Sequence, residues 1–255
     1  TLHCFQKAKT IIDTIEEKSK KEIYEFSPWA LMSNKKHFQV GIIEKTKLYD
    51  RNEVLKIKSQ LHRLIGGEQN QLPINPENPG PRYKNVIPYL NNSDTVLDIA
   101  CGFGGGTKYL SKYCKDIFGV DSDSRYIDFA KKNYEEKSIT YLNGDEGKLK
   151  NMKVVFDKIV SLHTLEHVEN DRVFLDIIHK LLRPEGLFII EVPRLLKYPL
   201  GEPLWPFHKV EYSYIQLKEL LTRTGFKIIE EKGGNRNSYT SIKKAREVLF
   251  FVATK

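Results

Sequence analysis

The sequence has few cysteines and no long apolar stretch, and both shortages narrow the range of functions. The three cysteines, Cys4, Cys101 and Cys114, are odd in number and show no C-x-x-C spacing, so neither a disulfide framework nor a zinc knuckle is indicated. No apolar run approaches the length of a membrane span, and the N-terminus lacks a signal-peptide pattern. We therefore expect reduced cysteines, no membrane span and a cytoplasmic protein.

Length and charge set the remaining bounds. The chain has 255 residues, enough for one good hydrophobic core and an extension. It begins with Thr1 rather than Met, so membership in a larger multidomain chain is a further expectation. A net charge of +8 would favour polyanionic partners. The lysines lie in scattered pairs without an aromatic-interleaved RNA motif, however, so a solvated lysine-rich surface is favoured and nucleic acid is not the expected partner.

The segment 95–121, TVLDIACGFGGGTKYLSKYCKDIFGVD, organises the rest of the chain. Its pattern predicts a strand, a turn with glycines at 102, 104, 105 and 106, a helix from Thr107 and a second strand that ends at Asp121. Doubly wound folds hydrogen-bond a ribose through an acidic residue at this place, about twenty residues past the glycines. The segment therefore predicts a cofactor site.

Three cofactor classes compete for this loop. A P-loop is excluded because no Gly-Lys-Ser/Thr follows the glycines. A dinucleotide site requires a third glycine where Thr107 stands, and Asp98 would place an anion close to a pyrophosphate. S-adenosylmethionine (SAM) carries no phosphate and two cationic groups, so the acidic Asp98 suits it. The remaining alternative is a glycine loop that only connects two elements.

The loop resembles the first motif of the class I SAM-dependent methyltransferases, V-L-D-x-G-C-G-x-G, which is matched by Val96, Leu97, Asp98, Cys101, Gly102 and Gly104. Ala100 replaces the first glycine of that motif. The resemblance covers residues 80 to 255 and implies an α/β fold. We expect a Rossmann-like, seven-stranded, mostly parallel sheet with an antiparallel C-terminal hairpin over 81–255. Residues 1–80 are expected to form a helical and irregular extension that serves as a lid or an interface.

The resemblance also implies how SAM would bind. The methionine part is expected over Ala100 to Gly104 below Asp98, the ribose on Asp121 and the adenine near Asp145. For Asp145, a turn residue that bonds its own backbone is the alternative. The full set of expected cofactor residues is Asp98, Ala100, Cys101, Gly102, Gly104, Asp121, Ser122, Asp145, Glu146 and Leu162.

The segment HTLEHV, which begins at His163, follows the predicted fourth strand and holds most of the candidate chemistry. H-x-x-E-H is also an inverted zincin pattern that would suit zinc on a helix. The resemblance favours a different assignment, because S-x-x-x-L-E-H-V at a strand tip is a methyltransferase hallmark, and no metal is expected. It places His163 beside the methyl group. We predict His163 or His208 as the general base, with His167 third, and packing is the alternative role for His163.

The acceptor site is predicted at the carboxyl end of the strand 187–192 and in the loop 203–211. The loop carries F-H-x-x-E, which resembles a subgroup of glycan-modifying methyltransferases that also shares the wording RYKNVIPYL and VLDIACG. Aromatic rings beside hydrogen-bonding groups suit a sugar, although aromatics that only cover the core are the alternative. The candidate acceptor contacts are Glu191, Arg194, Trp205, Phe207, Lys209 and Glu211.

These observations predict a SAM-dependent O-methyltransferase that modifies a sugar hydroxyl of a glycan or nucleotide sugar, as in polysaccharide biosynthesis. A methyltransferase acting on nitrogen or oxygen of RNA or of a small metabolite is the first alternative. A SAM-binding module without catalysis is the second.

Overall fold

A computed structural model describes residues 73–194, 208–210, 212–235, 238–242 and 247–255. The helices predicted in the first seventy residues, together with Trp205, Phe207 and Glu211, lie outside the described residues. One compact unit consists of residues 72–194 and 214–255 and contains all the secondary structure described below. The domain boundary near residue 80 stays a prediction.

The centre of this unit is an eight-stranded mixed sheet with the order β3-β2-β1-β4-β5-β8-β6-β7. The first five strands pair in parallel, whereas β8 is antiparallel to both β5 and β6. This arrangement confirms the Rossmann-like fold with a parallel core and antiparallel C-terminal strands. The strands are β1 (Thr95–Ile99), β2 (Asp116–Asp121), β3 (Ile139–Asn143), β4 (Phe156–Leu162), β5 (Leu182–Pro193), β6 (Lys227–Asn235), β7 (Ser238–Ser241) and β8 (Val248–Thr254).

The strand count corrects the sequence prediction, which gave seven strands. The additional strand is β7, which pairs antiparallel with the outer edge of β6. Its four residues, SYTS, are half-buried or exposed and lack apolar alternation, so periodicity gave no signal for it. Strand β5 also begins earlier than predicted. Leu182 pairs with Phe156, which draws the expected turn segment into the strand.

Six α-helices accompany the sheet in the described part of the chain. The helix predicted over 82–90 is shorter than expected, because Pro88 has no amide hydrogen and the chain continues as a 3-10 turn at Ile87–Tyr89. Side chains cap three of the helices: Asp123 accepts from the Arg125 amide, Asp145 from the Gly147 and Lys148 amides, and Asn170 from the Val173 amide. The helices are α1 (Pro81–Lys84), α2 (Gly105–Leu110), α3 (Ser124–Tyr134), α4 (Glu146–Lys150), α5 (Asp171–Leu181) and α6 (Tyr214–Arg223).

Burial of the central strands fixes where a ligand can approach. Four of the five residues of β1 are buried, and the side chains of β4 and β5 are buried over most of their length. Because these strands are parallel, their carboxyl ends meet at one edge of the sheet, where open α/β sheets bind ligands. No helix in the described ranges is long and apolar enough to cross a membrane.

Candidate active site

The loop after β1 turns through left-handed backbone at three residues, Ala100 (φ 57°), Gly102 (φ 54°) and Gly104 (φ 79°). A side chain on Gly104 would place its Cβ 2.6 Å from the Ala130 Cβ, so only glycine fits there. Ala100 tolerates the left-handed region at a cost of roughly 1–2 kcal/mol. The loop is therefore held in a conformation that brings backbone rather than side chains to the sheet edge.

Asp98 lies directly beneath this loop and is 1% exposed. Its Oδ2 accepts a hydrogen bond of 2.6 Å from the Thr107 hydroxyl, at the start of α2. Burial raises the pKa of Asp98 to about 7, with the Asp121 charge adding to the effect, while bonds from Thr107 and Tyr83 oppose it. A cationic ligand above the loop would favour the ionised form.

Asp121 ends β2 and ties two backbone segments together. The Gly102 amide donates to Oδ2 and the Asp123 amide donates to Oδ1, each at 2.9 Å. Each carboxylate oxygen can accept a second hydrogen bond. Asp121 therefore ties the glycine loop to the tip of β2, and its contact with a ribose stays a prediction.

The predicted adenine region lies at the end of β3. Oδ1 of Asp145 accepts from the Gly147 and Lys148 amides and so caps α4, which is the local role that the sequence left open. Burial and the Asp145 charge raise the pKa of the neighbouring Glu146. The carbonyl of Ser122 accepts from the Asn143 side chain. The adenine contacts stay a prediction.

The donor set at this edge fits SAM. The left-handed loop offers backbone at close approach, and the two carboxylates of Asp98 and Asp121 lie near enough to raise the pKa of Asp98. Such a pair would repel a phosphate, whereas it attracts the ammonium and sulfonium groups of SAM. Asp98 would face the methionine part and Asp121 the ribose.

The tip of β4 lies beside this loop. Ile99 pairs with Ser161 in the parallel register, and the Thr164 hydroxyl donates to the Ile99 carbonyl at 3.3 Å. His163 therefore leaves the sheet next to Ala100, and its backbone is left-handed with φ 57°. A strained non-glycine residue at such a place is typical of a functional site. Leu162, the last residue of β4, is buried.

Two buried carboxylates enclose the His163 ring. Nε2 lies 3.0 Å from Oε1 of Glu191, and Nδ1 lies 3.4 Å from Oε1 of Glu166. Burial lowers the pKa of His163, as does Arg82, but the two carboxylates outweigh both and raise it overall. Burial opposes the charge on Glu166 and Glu191, yet His163 beside them lowers the pKa of both. The ring and the two carboxylates thus form one charged cluster.

Glu191 has further partners that sequence reasoning missed. The Nε of Arg82, on α1, lies 3.0 Å from Oε1 of Glu191, and the Tyr239 hydroxyl, on β7, donates to Oε2. Glu191 is 1% exposed, which supports a role behind His163 rather than a direct acceptor contact. Tyr239 stands in no motif, and the RYKNVIPYL wording that contains Arg82 does not indicate a contact with Glu191, so only the folded structure reveals these partners.

Of the other predicted acceptor residues, the structure describes Arg194 and Lys209. The Arg194 amide donates to the Glu247 carbonyl at 2.8 Å, and its Nη1 donates to the Ile242 carbonyl at 2.9 Å. His208 and Lys209 belong to a second compact unit, 1–71 with 195–213, rather than to the unit that holds the sheet. Their roles, and the roles of Glu191 and Arg194 toward an acceptor, stay predictions.

Comparison with known proteins agrees with the site. Residues 97–190 match the family described as "Methyltransferase domain". A probable SAM-dependent methyltransferase of Mycolicibacterium smegmatis is 29% identical over 140 residues, which is 54% of either chain. A ubiquinone biosynthesis O-methyltransferase of Bartonella tribocorum is 27% identical over 54% of this chain and 62% of its own. The chain thus spans about half to three fifths of the length of these two relatives.

The fold also has solved counterparts. The N-methyltransferase NodS of Bradyrhizobium japonicum, in complex with S-adenosyl-L-homocysteine, superposes with a TM-score of 0.54 over 69% of this chain and 88% of its own, at 18% identity. The structural likeness shows the fold alone. The family match over residues 97–190, together with the glycine loop and its acidic residues, supports a SAM-dependent methyltransferase domain with SAM as its cofactor.

Proposed function

We propose that this domain transfers the methyl group of SAM to a hydroxyl oxygen, and that the hydroxyl belongs to a sugar of a glycan or nucleotide sugar. The observation that carries the first part is the position of His163 at the tip of β4, beside the SAM loop and tied to it through Thr164. The methyltransferase resemblance implies that the transferred methyl group lies near this place.

The reaction is a displacement at the methyl carbon, in which the acceptor oxygen attacks and the thioether leaves. Much of the acceleration comes from holding donor and acceptor at attack distance. A neutral hydroxyl is a poor nucleophile, so a group in the site must take up its proton as the new bond forms. Histidine is suited to this work near neutral pH. His163, His208 and His167 are the candidates, in that order.

The sugar assignment has separate support. The loop 203–211 combines aromatic and hydrogen-bonding side chains, and its F-H-x-x-E wording resembles glycan-modifying methyltransferases. One relative is named a ubiquinone biosynthesis O-methyltransferase and one structural counterpart an N-methyltransferase, so the fold alone does not determine the acceptor. Transfer to nitrogen or oxygen of RNA or a small metabolite is therefore the rival.

An acceptor screen tests the proposal. The protein is incubated with methyl-labelled SAM and separate panels of deoxysugar glycosides, nucleotide sugars, transfer RNA, small amines and phenols. We expect label on a sugar. Label on RNA, amines or phenols alone would refute the sugar assignment, and SAM binding by calorimetry without transfer to any panel would favour a module without catalysis.

A further inference from the structure

The ring of His163 has a carboxylate next to each of its two nitrogens. Nε2 lies 3.0 Å from Oε1 of Glu191, and Nδ1 lies 3.4 Å from Oε1 of Glu166. A neutral imidazole has one N–H donor and one bare nitrogen, whereas an imidazolium has two N–H donors. A bare nitrogen would direct its lone pair at one of the carboxylates. Only the imidazolium places an N–H opposite both.

Glu166 requires a positive charge beside it. Its side chain is 0% exposed, and neither carboxylate oxygen has a hydrogen-bond partner among the residues that the structure describes. A buried carboxylate of this kind stays ionised only beside a cation. Burial opposes the charge, but His163 and, at 4.0 Å, His167 lower the pKa of Glu166 overall. Glu166 is therefore an anion that faces a protonated His163 ring.

Glu191 holds His163 through both its backbone and its side chain. The His163 amide donates to the Glu191 carbonyl at 2.8 Å. The Nε of Arg82 lies 3.0 Å from the carboxylate oxygen that also faces the ring, and the Tyr239 hydroxyl donates to the other oxygen. These contacts fix the carboxylate, and they keep His163 in its left-handed backbone conformation.

We infer that His163 is a positioning residue, an imidazolium held between Glu166 and Glu191, and that it is not the base of the proposed transfer. Both ring nitrogens are occupied, so neither can accept the proton of an acceptor hydroxyl. The ring instead fixes the tip of β4, which the Thr164 hydroxyl ties to the glycine loop.

This inference rests on the proposed function, since a base is needed only for a hydroxyl acceptor. It removes His163 from the three base candidates and leaves His208 and His167. It also assigns a charge to the cluster. The two cations, Arg82 and His163, balance the two carboxylates, so these four groups place no net charge beside the glycine loop.

Nuclear magnetic resonance (NMR) of the histidine rings tests the inference without SAM or an acceptor. The full chain is labelled at the ring nitrogens, and the His163 signals are assigned by comparison with His163→Gln. Burial and Arg82 lower the pKa of His163, but the two carboxylates raise it overall. We therefore expect both of its nitrogens to be protonated at about pH 7.5. His179 is the control in the same spectrum: burial lowers its pKa, so its ring should be neutral.

Two variants should move the pKa of His163 in opposite directions. Glu191→Gln removes one carboxylate and should lower this pKa by at least about one unit. Arg82→Gln removes the opposing cation and should raise it. A general loss of structure would not produce shifts of opposite sign. Because Arg82 is 42% exposed, its variant still decides the question if Glu191→Gln fails to fold.

A neutral His163 ring at about pH 7.5 in the wild type, or a pKa that neither variant moves, would overturn the inference. Turnover at saturating SAM gives a second readout. We expect it to fall as the pH rises through the measured pKa of His163, and Glu191→Gln should move this fall to lower pH. Turnover that instead rises through that pKa, with a rise that moves in Glu191→Gln, would identify the ring as the base. Failure to methylate any hydroxyl would contradict only the proposed function, because the NMR result does not depend on transfer.

Discussion

The protonation of Asp98 should control the affinity for SAM. Asp98 is buried, and its pKa is raised from 3.8 to about 7, chiefly by that burial. Each pKa unit corresponds to about 1.4 kcal/mol, so ionising this carboxyl in the free protein costs about 4 kcal/mol relative to an exposed one. The cationic groups of SAM reverse that preference, and binding should therefore release the proton.

The expected size of the pH effect on SAM affinity follows from the Asp98 pKa of about 7. If only the ionised form binds SAM, the fraction of competent protein rises from about one tenth at pH 6 to about three quarters at pH 7.5, which is about eightfold in apparent affinity. Measurements should stop there, because the α-amino group of SAM begins to lose its proton close to pH 8. Asp98→Asn retains the shape of the side chain and removes the titration, so its affinity should be weak and nearly constant over the same range.

Calorimetric titration with SAM across this pH range provides the assay, and thermal unfolding of the free protein provides a second. Because the folded-state pKa of Asp98 is raised, its stabilising contribution is complete below about pH 3.8 and is lost as the pH rises through about 7. A saturating concentration of SAM should reduce this loss of stability at higher pH, because SAM favours the ionised carboxyl. If SAM affinity changed with pH equally in the wild type and in Asp98→Asn, the reasoning would be refuted.

Three further predictions concern other residues. Asp121→Ala should weaken SAM binding by about 1.5–3 kcal/mol in calorimetry, because it removes the ribose acceptor and the bond to the Gly102 amide; unchanged affinity in a folded variant would contradict the ribose assignment. His163→Ala and His208→Ala, compared in transfer assays, should include one loss of turnover of about 10²–10⁴-fold with SAM binding preserved, and near-normal rates in both would exclude base catalysis by these residues. Gly106→Ala should destabilise the protein by about 1–3 kcal/mol in denaturant unfolding, because the new Cβ would lie 1.9 Å from the Tyr83 ring, and a neutral effect would contradict that packing.

The strand, the glycine turn and the second strand ending at Asp121 were predicted correctly because their signals are local. The apolar run of β1, the glycines and Asp121 stand within one segment, so their order alone implies the strand, the turn and the acidic tip. The cluster around His163 could not be predicted from the sequence in the same way. Arg82 lies on α1, Glu191 on β5 and Tyr239 on β7, and these distant parts of the chain meet only in the folded structure. The periodicity of apolar residues carries no information about such long-range contacts.

Local chemistry also explains where the prediction of elements was wrong. The strand β7 is short and polar, and hydrophobic alternation cannot indicate such a strand. Residues 183–186 fall within β5 but have no partner in β4, because the register shifts between Phe156, paired with Leu182, and Lys158, paired with Leu187. The R-P-E-G segment thus persists as an irregularity of the strand, with left-handed backbone at Glu185 (φ 60°).

The chemical nature of the methylated atom tests the central claim most directly. SAM with an isotopically labelled methyl carbon is incubated with the protein and the sugar panel, and the product is examined by nuclear magnetic resonance, in which the shift of the labelled carbon separates methyl groups on oxygen, nitrogen and carbon. We predict a methyl ether on a sugar oxygen. A methyl group found only on nitrogen or carbon, or no transfer by a protein that binds SAM, would contradict the account.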